Sequence, residues 1–187
     1  MIAVVLSVLV CSPSVARRAV PEPTPPPSAD SAASEEEIRD KLETYLGALD
    51  RPVSAAHWRA LGTRGAAMLQ AIADDPQALP TRRAKALAGL SAIAPTGAAD
   101  LMLRLARSET TPRVVRLAAV RGTATVLPEP QIAGSLRPIL EAAQDKHVRR
   151  AAAQALSEHG GCALVRAQAA READALALQR ALASCER

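Results

Sequence analysis

Three alanine-rich stretches of the chain carry apolar side chains at the spacing of a single helix face. They read RRAKALAGLSAIA from Arg82, VRLAAVRGTATVL from Val115 and VRRAAAQALSEHG from Val148. In the last stretch the apolar residues follow the pattern i, i+3, i+4, i+7 and i+8, namely Val148, Ala151, Ala152, Ala155 and Leu156. This period is typical of an amphipathic α-helix with one buried stripe. We therefore predict a helix in each stretch.

The three stretches align without gaps at an interval of 33 residues, which places Arg83, Arg116 and Arg149 at one shared position. The stripe positions correspond as well, and most of them hold small residues. The corresponding sets are Ala86, Ala119 and Ala152, then Gly89, Gly122 and Ala155, then Leu90, Thr123 and Leu156. Because small side chains let a neighbouring helix come close, we predict that the alanine and glycine form a contact surface between helices.

Each stretch follows a helix breaker, and a further helical segment precedes that breaker. The breakers are Pro80, Pro112 and Asp145, and the preceding segments are GAAMLQAIA, AADLMLRLA and IAGSLRPILEAA. Each unit is therefore predicted to be a helix, a short turn and a second helix. Two helices cannot bury an apolar face by themselves, so such units stack on one another. We predict a stack that covers residues 65–161.

The pattern resembles the HEAT-repeat family in its short bacterial form, the HEAT-like repeat of the phycobilisome-lyase type. There a Val-Arg pair opens an alanine-rich second helix that ends in Ala-Leu and then Gly. Here Val148-Arg149, Ala155-Leu156 and Gly160-Gly161 match most closely, and Val115-Arg116 matches next. The resemblance implies a short α-solenoid and indicates little about function, since some members of the family are lyases that attach bilin pigments. Ankyrin repeats share the 33-residue interval, and these and other α-solenoids or bundles are the alternatives.

The composition favours the same fold class. Apolar residues make up 49% of the chain but aromatic residues only 1%, so that alanine, leucine and valine must fill the core. Small side chains bury little area each, and such a core needs closely approaching backbones. Alanine is also the best helix former and a poor strand former. We predict an all-α fold.

Both ends of the predicted stack carry signals for helical caps. A capping box of Ser34 and Glu37 is predicted to open an N-terminal cap over residues 35–64. Within this cap Ser54 is predicted to cap a second helix, on which Trp58 is interpreted as a packing anchor. The C-terminal residues 162–187 are predicted to form a helical hairpin, with Asp174 as the N-cap of its second helix.

Two cysteines, Cys162 and Cys185, lie in this C-terminal segment. One continuous helix would hold them about 35 Å apart at about 1.5 Å per residue, too far for a disulfide. A hairpin would bring them together, so we predict a disulfide that closes the C-terminal cap. The alternative is a pair of buried free thiols.

The first 34 residues have the character of an exported leader and a tether. MIAVVLSVLV is a short apolar run, and Ser14 and Ala16 place small residues where signal peptidase reads, which predicts a signal peptide over residues 1–16. A lipoprotein signal with Cys11 as the lipidated residue and a misplaced translation start are the alternatives. Residues 17–34, rich in Pro, are predicted to be a disordered linker. We expect a periplasmic or cell-envelope protein that meets the membrane only through the signal or a lipid anchor.

The charges are unevenly distributed along the chain. Residues 22–50 hold eight acidic residues against two basic ones, whereas residues 81–126 hold eight basic residues against two acidic ones. Such polarity can steer an acidic partner. The candidate partner surface is the set of arginines of the central units: Arg83, Arg104, Arg107, Arg113, Arg116, Arg121 and Arg149. The alternative for the recurring set, Arg83, Arg116 and Arg149, is that these side chains pair with acidic turn residues and hold the stack.

The sequence contains no motif that specifies a reaction. It has no Gly-x-Ser-x-Gly elbow and no phosphate-binding glycine loop. His159 and Cys162 have the spacing of metal ligands, but no further ligands complete a site. We therefore expect no catalytic residues, no cofactor and no metal, and we expect a protein-binding scaffold or adaptor. Binding of nucleic acid or another polyanion is the first alternative, disfavoured by the scarcity of aromatic residues for base stacking. A lyase is the second.

Overall fold

The computed structural model describes residues 29–48, 52–172 and 175–186, and within these ranges the protein is all-α and contains no strand. The prediction of an all-α fold is confirmed. The helices, in chain order, are α1 (Ala29–Gly47), α2 (Ala55–Arg59), α3 (Gly62–Asp74), α4 (Pro80–Ile93), α5 (Ala98–Arg107), α6 (Arg113–Val126), α7 (Glu129–Ala142), α8 (Lys146–Glu158), α9 (Cys162–Ala169), the 3₁₀ helix Ala175–Leu178 and α10 (Gln179–Ser184).

The 33-residue interval of the sequence reappears in the helix starts. The three alanine-rich helices α4, α6 and α8 begin at Pro80, Arg113 and Lys146, each 33 residues after the last. Each packs against the helix before it, in the pairs α3–α4, α5–α6 and α7–α8. In addition α4 contacts α6, and α6 contacts α8. The second helices of the three pairs therefore lie next to one another.

The predicted breakers lie at the starts of these second helices. Pro80 is the first residue of α4, and Pro112 is the N-cap of α6. A proline at this place lacks only an N–H that would have no partner within the helix, and its fixed φ suits the first turn. Asp145 is the N-cap of α8, where its carboxylate accepts a hydrogen bond from the backbone N–H of His147 at 2.8 Å. Each second helix therefore begins at a residue, a proline or a capping aspartate, that favours a helix start without distant contacts.

The small residues of the repeated stripe lie where the helices meet, as the sequence predicts. Ala86, Ala119 and Ala152 are completely buried. A Cβ atom at Gly89 would lie 2.8 Å from Cε3 of Trp58, and one at Gly122 would lie 2.6 Å from Oγ of Ser91. Real Cβ atoms do not approach other atoms so closely. At both positions the absence of a side chain permits the observed packing.

At the N-terminal end, the predicted packing role of Trp58 is confirmed. Its ring is buried and contacts the ring of Tyr45 edge to face, with the centroids 5.3 Å apart. Ser54 caps α2 by accepting a hydrogen bond from the N–H of His57, as predicted. One boundary differs from the prediction, because α3 begins at Gly62 and not at Gly65.

The start of α1 also corrects the predicted boundary between linker and cap. The helix begins at Ala29, so residues 29–34 are helical and Ser34 lies within the helix, not at its N-cap. Alanine has a high helix propensity, and three of the residues at this start of the helix, 29, 32 and 33, are alanine. These residues extend α1 beyond the capping box. The predicted signal peptide, Cys11 and the proline run lie outside the described residues.

At the C-terminal end, α9 and α10 bring the two cysteines together. The Sγ atoms of Cys162 and Cys185 are 2.11 Å apart and the Cα atoms 5.6 Å apart, which is the geometry of a disulfide. Cys162 is the first residue of α9, and Cys185 directly follows α10. The predicted pairing is therefore present, while Asp174 lies outside the described residues. In the described part of the chain no helix is long and apolar enough to cross a membrane.

We expect the substitution Gly89→Val to lower the free energy of unfolding by about 2 kcal/mol, because the new side chain overlaps buried Trp58. Urea denaturation followed by circular dichroism measures this change. Gly134→Val is the matched control, since Gly134 lies exposed within α7 with nothing within 4 Å of its Cβ position. A loss of similar size in both variants would contradict the importance of close packing at Gly89.

Candidate functional site

The recurring arginines of the first two helix pairs are buried among the packed helices. Arg83 is only 4% exposed and Arg116 only 3%. Nε of Arg83 donates a hydrogen bond to the backbone carbonyl of Ala73 at 3.0 Å, and Nε of Arg116 donates to that of Ala106 at 3.2 Å. Each acceptor belongs to the last turn of the preceding helix, whose carbonyls have no partner within the helix. These two arginines join the two helices of their own unit.

Arg116 also reaches the next unit through a carboxylate. Its two terminal nitrogens donate to the two carboxylate oxygens of Glu109, at 2.5 and 2.7 Å. Oε1 of Glu109 accepts a further hydrogen bond from the backbone N–H of Gln144 in the turn before α8. The hydrogen bond from Arg116 holds the pKa of the Glu109 carboxyl below its ordinary value. The charged pair therefore links α6 to the unit that follows.

Arg149 has a related role at the C-terminal end. Its Nη1 donates to the carbonyls of Ala143 and Gln144, at 2.7 and 2.9 Å, and its Nε donates to Glu172 at 2.9 Å. The pairing with acidic residues stated as the alternative is present for Arg116 and Arg149, whereas Arg83 bonds a backbone carbonyl. Arg83 and Arg116 leave the candidate partner surface because they are buried, and Arg149 leaves it because its guanidinium is bonded inside the protein.

Three further candidates are exposed but bonded to a neighbouring unit. Arg104 makes a bidentate pair with Asp74, with both distances 2.9 Å, and Arg107 donates to the carbonyl of Ser135 at 3.4 Å. Arg113 is paired with Asp145, the N-cap of α8. The hydrogen bond from Arg104 lowers the pKa of Asp74. These contacts connect α5 to α3, α5 to α7, and α6 to α8.

Arg121 is the member of the predicted surface that lies in a groove with its guanidinium unbonded. It is exposed on α6, and no described residue forms a hydrogen bond or ion pair with its side chain. Two neighbouring grooves share it. The α4–α6 groove has a volume of about 430 Å³, and its lining includes Ala84, Ala88, Val114 and Ala118.

The second groove, the α6–α8 groove, has a volume of about 510 Å³. It also contains basic residues that the sequence analysis did not select. The lining residues are Leu117, Arg121, Ala124, Thr125, His147, Arg150, Ala151, Gln154, Ala155, Glu158, His159 and Arg180. Leu117, Arg121 and Thr125 line both grooves, so the two form one continuous surface along the second helices.

Arg150 could have been recognised from the helix period. It directly follows Arg149, so the two side chains point about 100° apart on α8. If one faces the turn and its carbonyls, the other faces away from it. Arg180 had no such signal, because its place beside α8 depends on how the C-terminal helices pack.

The grooves are open surfaces with few groups suited to chemistry. Within the described ranges, no cluster of three or more His, Cys, Asp or Glu side chains could hold a metal ion. The polar groups of the α6–α8 groove are three guanidinium groups, two imidazoles, the Thr125 hydroxyl, the Gln154 amide and the Glu158 carboxylate. Gln154 donates a hydrogen bond to Glu158 at 2.6 Å. This set of groups suits the binding of a charged chain.

Comparison of the chain with models of protein families, with curated proteins and with solved structures found no match.

Removal of the Arg116 side chain should destabilise the protein. We expect Arg116→Ala to lower the free energy of unfolding by about 2 to 3 kcal/mol, because the carbonyl of Ala106 loses its donor and a cavity forms. Arg104→Ala is the control, since an exposed ion pair contributes at most about 1 kcal/mol. Urea titration measures both, and equal losses would show that burial of Arg116 has no special importance.

The paired carboxylates should make the fold sensitive to acid. Hydrogen bonds from arginine lower the pKa values of Glu43, Asp74 and Glu109 in the folded state. The contribution of these carboxylates to the free energy of unfolding is therefore complete above the ordinary carboxyl pKa of about 4. It is lost as the pH falls through the lowered pKa values of the folded state. We expect the urea midpoint to drop between pH 5 and pH 3. Glu109→Gln should make this drop smaller, and an unchanged drop would contradict the assignment.

Proposed function

We propose that this protein is a non-catalytic binding module, a short α-solenoid of HEAT-like units that holds another protein on the surface of α4, α6 and α8. The observation that carries the proposal is the continuous pair of grooves along these second helices. Small or apolar side chains form the base of both grooves. Arg121 lines both grooves, and its guanidinium has no hydrogen-bond or ion-pair partner among the described residues. A surface of this kind offers both apolar contact and directed charge.

The contacts between the units support the solenoid part of the proposal. The second helices start at equal intervals, and each contacts the next. Arg83 and Arg116 each bond the carbonyl ten residues earlier, so the same contact is made in two successive units. Equivalent contacts at equivalent positions are what a stack of repeated units requires. The caps at the two ends complete the proposed arrangement, because a stack needs covered ends.

Export to the cell envelope is part of the same proposal. The disulfide supports it, since such bonds persist in oxidising compartments. The apolar run at the start of the sequence is consistent with a secretory signal. In this setting we propose that the protein is a scaffold or adaptor for an envelope protein.

Site-specific photo-crosslinking in living cells tests the proposal. A photoreactive amino acid placed at Ala88 or Thr125, both exposed in the grooves, should give a discrete adduct with one partner protein. The same probe at Gln70 on α3 or Gln131 on α7 is the control, because these residues are exposed on the first helices of their units. Mass spectrometry identifies the adduct. Adducts from the control positions alone, or none from the grooves, would refute the proposed surface.

A further inference from the structure

We infer that the α6–α8 groove binds an acidic segment of the partner protein, in which carboxylate side chains alternate with small apolar ones. This inference rests on the proposed function, because it specifies the partner chemistry of the same surface. It depends on three arginines that converge on the groove from three helices, Arg121 from α6, Arg150 from α8 and Arg180 from α10.

The three arginines differ from most others in the described part of the chain. All three are exposed, and no described residue forms a hydrogen bond or ion pair with their guanidinium groups. Arginines that do have such partners include Arg82, Arg104, Arg107, Arg113, Arg116 and Arg149. The groove therefore brings together three free guanidinium groups, whereas most other arginines of the described residues are bonded within the fold.

A free guanidinium has a specific preference among ligands. Its planar fork of N–H donors matches the two oxygens of a carboxylate and can bind both at once. Arg121 and Arg150 lie on neighbouring helices, so carboxylates spaced along one peptide can meet both. Charge complementarity thus identifies the ligand as anionic.

The base of the groove indicates which side chains the ligand carries besides its carboxylates. It is formed by Leu117, Ala124, Ala151 and Ala155, which are small or apolar. The lining runs along α8 from His147 to His159, a length of about 18 Å at about 1.5 Å per residue. An extended peptide covers this length with about five or six residues. Small apolar side chains of such a peptide fit against the floor while its carboxylates reach the arginines.

The lining favours an acidic peptide over a nucleic acid. The lining holds no Phe, Tyr or Trp ring, so a base could stack only on the imidazoles of His147 and His159 or on a guanidinium plane. Glu158 lies in the same wall and would repel a continuous row of phosphates, whereas a peptide can present an N–H donor to it. A mixed chain of acidic and apolar residues therefore fits this lining best.

The C-terminal helices bring the third arginine to the groove. Arg180 is the second residue of α10, and both α10 and the preceding 3₁₀ helix contact α8. The disulfide from Cys185, which directly follows α10, ties this helix to the start of α9. The C-terminal cap thus contributes a binding residue in addition to covering the end of the helix stack.

Selection from a phage library of random twelve-residue peptides on the oxidised full-length protein tests the inference. We expect the enriched peptides to alternate Asp or Glu with Ala or Leu. The most enriched sequence, synthesised with a fluorescent label, should bind at least tenfold more weakly to Arg121→Glu and to Arg150→Glu, and more weakly to Arg180→Glu. Its Asp→Asn and Glu→Gln version should lose binding to the wild-type protein. Fluorescence anisotropy measures all of these affinities.

Arg39→Glu and Arg171→Glu are the matched controls, because these arginines are also exposed and unbonded among the described residues but lie outside the groove. Both should leave the affinity within twofold, and circular dichroism checks that every variant is folded. Enriched peptides without acidic residues, or equal losses in the control variants, would overturn the inference. Binding of heparin or DNA that depends on the groove arginines, without peptide binding, would identify a polyanion site instead. If crosslinks form at Ala88 or Thr125 but no acidic preference emerges, the proposed function stands and this inference fails.

Discussion

The packing of the helix pairs depends on an arginine near the start of the second helix that reaches the end of the first. The last carbonyls of a helix have no partner within it, and the turns between α3 and α4 and between α5 and α6 are short. Arg83 and Arg116 supply a donor to one such carbonyl each while buried at the helix junction. In the second unit Glu109 extends the contact to the turn before α8. The recurring arginine therefore joins the two helices of each of these pairs, and Arg116 also joins its pair to the next one through Glu109.

Close packing of the second helices against their neighbours also requires small side chains where the helices meet. Gly122 on α6 leaves room for the Ser91 hydroxyl of α4, and Gly89 on α4 leaves room for the Trp58 ring of α2. Ala86, Ala119 and Ala152 are fully buried. When helices meet this closely, their outer faces form one surface with shallow depressions between them. The grooves are thus a direct result of a core built from small residues.

The many arginines of this chain consequently serve two different purposes. Those at the turns and between units are bonded to carbonyls and carboxylates, and they stabilise the fold. Those in the α6–α8 groove keep their donors free, although they lie only a few residues from the bonded ones. Arg149 and Arg150 are adjacent in sequence, yet one is bonded to Glu172 and the other lines the groove. Most arginines of the central helices are bonded to other groups of the fold, and only a few of them are free to bind a ligand.

The sequence by itself determined the helices, because alanine propensity, Pro80, Pro112 and the Asp145 cap act over a few residues and need no distant contact. It also determined the close-packing positions and the cysteine pair, since a regular period and a short hairpin restrict which residues can meet. Only the tertiary structure decided which arginines are free. Arg83 and Arg116 are buried, Arg121 and Arg150 are not, and Arg180 reaches the groove through the packing of α10 on α8. The reason is that charge and spacing can be read from the sequence alone, whereas the presence of an acceptor beside a guanidinium depends on how other helices and turns pack around it.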